Sequence, residues 1–420
     1  MGRSATRRVF LKGAAAALAP LARPALAQSS PRVVVIGGGF GGAAAARALK
    51  RAGTAVTLVE PNETYTACPM SNLVVASLRD IQAQRFGYEG LDRAGIERVR
   101  QSATRIDPQA RRVTVADGTA YSYDRLVLSP GIDLRLDALP GYGEEEVQIF
   151  PHAWKAGDQT VMLRRQLEAM EDGGTVVISV PANPYRCPPG PYERASLVAH
   201  YLKTNKPRSK LLILDAKDSF SKQRLFQAAW RDLYPGLLEW VPLSQGGKVV
   251  EIDAGERTFV TEFGRYRADV GNVIPPQTAA QIALDAGVAD RTGWCSIDPV
   301  TFESRLHPYI HVIGDAAIAG GMPKSAFSAN AQAKACADAV SLLLRDRTPP
   351  PPKLINTCYS LVAPGYGISV AGVYRPANGL LADVEGAGGT SPPDAPHSVR
   401  SLEATYADAW FTTITGETFG

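Results

Sequence analysis

The chain has 420 residues, 45% of them hydrophobic and 20% charged, with 31 prolines and five cysteines. That length exceeds what one hydrophobic core can organise and implies two or three domains of a loop-rich globular protein. The formal charge of +4 belongs to the first 27 residues, whose five basic side chains leave 40 basic against 41 acidic in the remainder, so no nucleic-acid partner is implied.

Those 27 residues read as an address. Arg7 and Arg8 precede the bulky Val9, Phe10 and Leu11; an apolar stretch runs from Gly13 to Ala22, and Ala25, Leu26 and Ala27 form an A-x-A cleavage site. This is the pattern of a twin-arginine export signal, which places the mature chain, from Gln28, in a bacterial periplasm. The apolar stretch is about half the ~20 residues a bilayer span requires, so no membrane span is expected. An oxidising compartment permits a disulfide, although five cysteines cannot all pair.

Residues 32–36 are an unbroken β-branched run, the mark of a buried parallel strand. The strand enters G-x-G-x-x-G at Gly37, Gly39 and Gly42, an alanine-rich helix follows from Ala43 to Arg51, and a second strand over 55–59 ends at Glu60. Strand, glycine loop, helix, strand and terminal acid together define a dinucleotide-binding unit, with Glu60 set to bond a ribose hydroxyl. Residues 123–131 add a strand and turn. A second such unit starts at the strand 175–180 and continues at 210–215. Between them, where a nicotinamide phosphate loop belongs, residues 181–193 carry five prolines and one glycine. Such a loop cannot present a row of backbone N–H groups to a pyrophosphate. The strand 309–315 ends in Gly314 and Asp315, in register for a carboxylate that accepts from a ribityl chain, which favours FAD over NAD. A helix is expected from Ser325 to Leu344, with its positive end free to face a flavin. Pro349 to Pro352 form a stiff break, and a tail of about 68 residues follows.

Cys68 lies eight residues past Glu60, where ligands bind in doubly wound folds; it is either a thioether link to the flavin or a buried thiol. Cys187 and Cys358, each in an irregular loop beside tyrosine and proline, form either a redox pair or a structural bridge. Glu193 is either a base for that pair or an ordinary loop carboxylate. Cys336 reads as a small buried hydrophobe in the long helix, and Cys295 follows Trp294 in a loop. His307 and His311 are broken by Pro308, so no metal site is expected, and no C-x-x-C-H occurs for a haem. Tyr406, Trp410 and Phe411 have helical spacing, which means core packing or a ring against the flavin.

Taken together, residues 65–72, 310–316, 323–332, 356–374 and 410–420 resemble the flavoprotein subunits of flavocytochrome c sulfide dehydrogenases. The resemblance covers essentially the whole mature length. It implies an α/β fold of two Rossmann-like domains, the second degenerate, plus a C-terminal α+β domain. The expected segments are FAD-binding 31–150 and 276–347, a degenerate NAD-like 151–275, and a 353–420 domain that completes the flavin site and faces a cytochrome. Residue by residue it implies FAD joined through its 8α-methyl to Cys68, a redox disulfide between Cys187 and Cys358, Glu193 as the nearby acid and Trp410 beside the flavin. Gly37, Gly39, Gly42, Glu60, Asp315 and Lys324 complete the expected cofactor set. The implied activity is oxidation of sulfide to sulfur or polysulfide, with electrons passing singly to a c-type cytochrome whose haem lies on another chain. Pro69, directly after Cys68, bends that loop without displacing the cysteine. The alternatives are a sulfide:quinone oxidoreductase and a non-catalytic electron-relay flavoprotein with a structural disulfide. The acidic tail, with three acids and no base over 401–420, argues against docking on anionic lipid.

Overall fold

A computed structural model describes residues 31–420; the export signal read over 1–27 lies outside the described residues. Arg32–Ile36 (β1) is buried from Val33 onward, as its β-branched run requires. It leads through the glycine loop into Gly42–Arg51 (α1) and back to Ala55–Val59 (β2), which pairs with β1 in parallel from Arg32 opposite Ala55 to Ile36 opposite Val59. A short helix, Ser71–Val75 (α2), follows the Cys68 loop. Glu97–Val99 (β3) and Arg125–Leu128 (β4) extend the sheet on either side.

The middle of the chain builds a second parallel sheet. Thr175–Val180 (β5) leads into Gly190–Asn205 (α3), then Lys210–Asp215 (β6), Gln223–Leu233 (α4), Leu238–Val241 (β7) and Val270–Val273 (β8), in the order β7-β6-β5-β8. The chain then returns to the first sheet with Ile310–Val312 (β9), giving the order β9-β4-β1-β2-β3. Ala326–Leu343 (α5) packs on α1. Ala43, Ala45 and Ala46 of α1 and Ala333 and Ala337 of α5 are all buried, and such small side chains let two helices approach closely. Ser325 is the N-cap of α5, its hydroxyl accepting from the Ser328 amide at 3.0 Å.

The tail forms an antiparallel meander of Leu354–Ala363 (β10), Tyr366–Ala377 (β11) and Leu380–Asp383 (β12), covered by His397–Phe419 (α6). Phe419, in the last turn of α6, packs against Phe40, Tyr65 and Phe86 at centroid distances of 5.2–5.5 Å. Aromatic contacts of this kind add about 1 kcal/mol each beyond area burial, so the tail is fastened to the glycine-loop unit. Among the described residues no helix is long and apolar enough to cross a membrane.

The structure corrects two sequence expectations of local shape. The segment 181–193 is not loop throughout: helix α3 begins at Gly190, with Pro191 in its first turn, a position where a missing N–H costs nothing. Glu193 therefore stands on a helix. The strand expected over 309–315 is three residues long, because Gly314, at φ +72°, turns the chain into a 3-10 turn holding Asp315.

His311, fully buried in β9, is held neutral. Its Nδ1 contacts the Thr301 carbonyl at 2.7 Å and Nε2 faces the Arg125 guanidinium at 3.4 Å. Burial pulls its pKa down to about 4, with Arg125 adding to the effect and the Thr301 bond and Glu303 opposing it. A base depressed in the folded state stabilises the fold above its unfolded value and loses that contribution as pH falls from about 6.5 towards 4. The melting temperature is therefore expected to fall over this interval, and His311→Gln to make the fall shallower, by up to about 3 kcal/mol at its acid end. Identical pH–Tm slopes for the two proteins would contradict this assignment.

Candidate active site

The carboxyl ends of the first sheet open on a cavity of about 510 Å³. Its floor is the loop Gly37–Gly41 with Glu60, and Gly314 and Asp315 close one side. Gly37 sits at φ +94°, where a Cβ would lie 2.2 Å from the Ser129 carbonyl, so only glycine fits. Gly42 does not itself line the cavity. A Cβ there would stand 1.8 Å from the Gly37 carbonyl, so its work is to let α1 start against the loop. Glu60 is buried; one carboxylate oxygen accepts from the Gly38 amide at 2.7 Å, and the other accepts from Asn62 at 2.9 and 2.7 Å.

Cys68, Cys187 and Cys358 line this one cavity, arriving from the loop after β2, the loop before α3 and strand β10. Cys358 is thus in a strand, not in the irregular loop its neighbours suggested. All five cysteines are free thiols in the structure, so the bridge expected between Cys187 and Cys358 is not formed here. Cys187 adopts φ +58°, a left-handed conformation that a side chain holds only when its surroundings fix it. They do: its amide donates to the Lys324 carbonyl at 2.8 Å, and its carbonyl accepts from Gly190 at 2.8 Å. Burial pushes the Cys187 thiol well above its ordinary range, and the neighbouring Cys358 and Glu193 push it the same way. Cys295 and Cys336 are buried elsewhere.

Glu193 lies in the first turn of α3. Its carboxylate accepts from Asn72 Nδ2 at 2.9 Å and from the Leu361 amide at 2.8 Å, three residues beyond Cys358. Burial raises its pKa, while these hydrogen bonds and Lys222 oppose the rise. The next residue, Arg194, was not singled out from sequence. It is 2% exposed, and its guanidinium donates to Asn72 Oδ1, Asn272 Oδ1, and the carbonyls of His152 and Ala153 at 2.6–3.1 Å. Arg186 bonds the Trp154 carbonyl and reaches Asp315 at 3.8 Å. The same carbonyl is 3.9 Å from Cys68 Sγ, so a guanidinium stands beside that sulfur.

Lys324 does not itself line the cavity; its ammonium donates to the carbonyls of Asp315 and Ala317 at 2.9 and 2.6 Å and sits 3.9 Å over the Trp294 ring. It shapes the Asp315 turn and, through its own carbonyl, the Cys187 loop. Trp410 does reach the cavity, stacked on Phe327 with centroids 6.1 Å apart, while Phe411 packs inward and Tyr406 is exposed. Phe327 and Trp410 also border an open depression of about 880 Å³ on the far side, between α5, α6 and the proline break.

The second sheet has the same frame with a different filling. Asp215 stands at the end of β6, as Glu60 stands beyond the end of β2, yet it is wholly buried. Its carboxylate already accepts from Tyr192 at 2.6 Å, Trp240 at 2.9 Å and Lys217 at 2.6 Å. Phe220 stacks on Tyr192 at 3.6 Å. Internal side chains take the place a ribose would need.

A flavin nucleotide fits the first cavity and not the second. Asp315 Oδ1 and Trp154 Nε1 are buried without a hydrogen-bond partner, a costly state unless a ligand completes it. Asp315 is also raised in pKa by burial, with Arg186 and Lys324 opposing. These groups, the glycine floor and Glu60 are the ones that would hold FAD.

Two parallel sheets, a glycine loop and thiols at the strand ends define a flavoprotein oxidoreductase of the disulfide-reductase class, and residues 31–167 match the pyridine nucleotide-disulphide oxidoreductase family. Residues 160–275 match the central region of the sulfide dehydrogenase [flavocytochrome c] flavoprotein chain, and residues 350–419 match the flavocytochrome c sulphide dehydrogenase flavin-binding family. The chain is 53% identical over 45 residues to the sulfide dehydrogenase [flavocytochrome c] flavoprotein chain of Chlorobaculum thiosulfatiphilum, a match covering 94% of that sequence and 10% of this one. It is 24% identical to the mitochondrial sulfide:quinone oxidoreductase of Dictyostelium discoideum over 68% of this chain and 65% of the relative, just under two thirds of its length. The fold is similar to that of the sulfide:quinone oxidoreductase of Aquifex aeolicus, with TM-score 0.74, 18% identity and 92% of each chain covered. The central and C-terminal regions of the chain thus match the flavocytochrome c sulfide dehydrogenase flavoprotein family, and its first part the wider disulfide-reductase class.

Proposed function

We propose that this protein is a periplasmic sulfide dehydrogenase flavoprotein that takes two electrons from sulfide through a Cys187–Cys358 disulfide and hands them singly to a c-type cytochrome. The observation that carries the reading is the convergence of Cys68, Cys187 and Cys358 on the one cavity floored by the glycine loop. In the oxidised protein the pair is bridged; hydrosulfide attacks one sulfur, forming a persulfide on it and releasing the other cysteine as thiolate. Glu193, buried beside the pair with its pKa raised by burial, is placed to take up or release a proton near the reacting sulfurs. FAD, when bound, supplies a two-electron acceptor that can release electrons one at a time. Cys68 would hold it covalently, with the Arg186 guanidinium close to its sulfur. The twin-arginine signal supports the periplasmic location. The filled Asp215 site supports an acceptor other than a nicotinamide.

A second reading, a sulfide:quinone oxidoreductase, draws on the likeness to the Dictyostelium relative over two thirds of this chain. Anaerobic sulfide titration separates the readings. Sulfide is expected to bleach the flavin spectrum, and the reduced protein to reduce cytochrome c far faster than a short-chain ubiquinone. Preference for the quinone would transfer the assignment to the second reading, and no bleaching would remove both. In acid precipitation the yellow colour is expected to stay with the wild-type pellet and to pass into the supernatant in Cys68→Ser. Colour released from the wild type would show that packing alone holds the cofactor.

A further inference from the structure

Lys222 is a buried ammonium that makes no ion pair within 4 Å among the described residues. It caps α4 at φ +62° and is 7% exposed. Its Nζ reaches from the second sheet into the C-terminal meander, donating to the Cys358 carbonyl at 2.9 Å, Ser360 Oγ at 2.7 Å and the Ile368 carbonyl at 3.4 Å. All three partners are neutral oxygens. A buried cation so placed is costly unless a negative charge accompanies it. Burial draws the Lys222 pKa down to about 8, and the groups that hold it up are, in order, Cys358, Glu193, Cys187 and Glu403, from β10, α3, the loop before α3 and α6. A left-handed lysine at this point persists only because the surrounding contacts fix it.

A second group points at the same sulfur. Asn356, 2% exposed, accepts on Oδ1 from Ser325 Oγ at 2.7 Å and Ser328 Oγ at 3.1 Å, in the first turn of α5. Its amide is thereby oriented so that Nδ2 donates to Cys358 Sγ at 3.3 Å. Cys187 has no comparable donor: its surroundings are the carboxylate of Glu193 and the other thiol, with Arg186 and Lys222 weaker opposing charges.

We propose that Lys222 and Asn356 are positioning residues that together form an anion cradle for the Cys358 sulfur, making it the member of the reduced pair that carries negative charge. The inference rests on the reading of Cys187 and Cys358 as the redox pair and adds how the two sulfurs differ. The amide fixes the sulfur by a directed hydrogen bond. The ammonium fixes the strand on which it stands and lowers the energy of the thiolate through the field of a buried charge bonded only to neutral oxygens.

The test is alkylation of the dithiol-reduced holoenzyme with iodoacetamide at pH 7.5, followed residue by residue by mass spectrometry. The thiolate is the reacting form, so rate reports negative charge on each sulfur. Cys358 is expected to react at least about tenfold faster than Cys187. Lys222→Met should slow Cys358 about tenfold and Cys187 clearly less, and Lys222→Arg should restore the Cys358 rate to within about threefold. Asn356→Leu, which leaves the ammonium in place, should also slow Cys358 and serves if Lys222→Met does not fold. Faster reaction at Cys187, no reaction at Cys358, or a Cys358 rate indifferent to these substitutions would overturn the cradle. If the labelling pattern holds while sulfide fails to bleach the flavin, the redox reading fails and the cradle stands.

Discussion

Cys187→Ser is expected to lower sulfide-dependent cytochrome c reduction by about three orders of magnitude, to the level of the uncatalysed reaction. Serine keeps the size of the side chain and its place at φ +58°, but it cannot form or break an S–S bond. Cys358→Ser should do the same, and the double variant should be no worse than either single one, because the two sulfurs act as one unit. The thiol of Cys187 lines a cavity and makes no side-chain hydrogen bond the fold depends on, so Tm and flavin content should change little. A chemical effect is thus separable from a folding one. Retention of full activity in either serine variant would remove the disulfide from the mechanism and leave Cys187 and Cys358 as passive wall residues.

Arg194→Met should have the largest effect on stability, a loss of about 3–5 kcal/mol, read as a Tm lower by about 10 °C. The guanidinium donates to two asparagine side chains and two backbone carbonyls while 2% exposed. Methionine fills much of the volume and supplies none of the donors, so four acceptors lose their partner in a site closed to water. The damage also spreads to the chemistry. Asn72 accepts from Arg194 and donates to Glu193, so losing the first bond frees the amide that orients the acid. Arg194→Lys is expected to rescue little, since a single ammonium cannot reproduce the forked set of donors. Burial lowers the Arg194 pKa only to about 10, so the group stays charged near neutral pH and the loss should be flat from pH 6 to 8. A calorimetric Tm within 2 °C of wild type would show that water replaces the guanidinium and that the network is dispensable.

Much of the site is visible in the chain because its parts are local. Gly37 announces itself because backbone geometry admits no other residue there, and Gly39 by its spacing from it. Glu60 follows at the end of the next strand, and Asp315 follows a strand of the same sheet. The cysteines are few, and Cys68 and Cys187 are each followed by proline. Arg194, Lys222 and Asn356 offer no such mark. An arginine in a helix is ordinarily solvated, a lysine between two elements reads as a turn residue, and an asparagine two residues before a cysteine has no spacing rule. Each acquires its role from an element distant in sequence: Arg194 from residues 72, 152, 153 and 272, Lys222 from 358, 360 and 368, Asn356 from 325 and 328. Lys324 and Gly42, expected at the cofactor from motif position, also make backbone contacts that only the fold reveals.

The linear chain by itself determined the dinucleotide unit, the degenerate second unit and the cysteines worth following, because strand patterning, glycine geometry and proline content act over a few residues. Only the folded molecule decided which charges surround each sulfur. Electrostatic influence depends on distance through space and on exclusion of water, and both are set when β10, α3 and the turn before α4 close on one another.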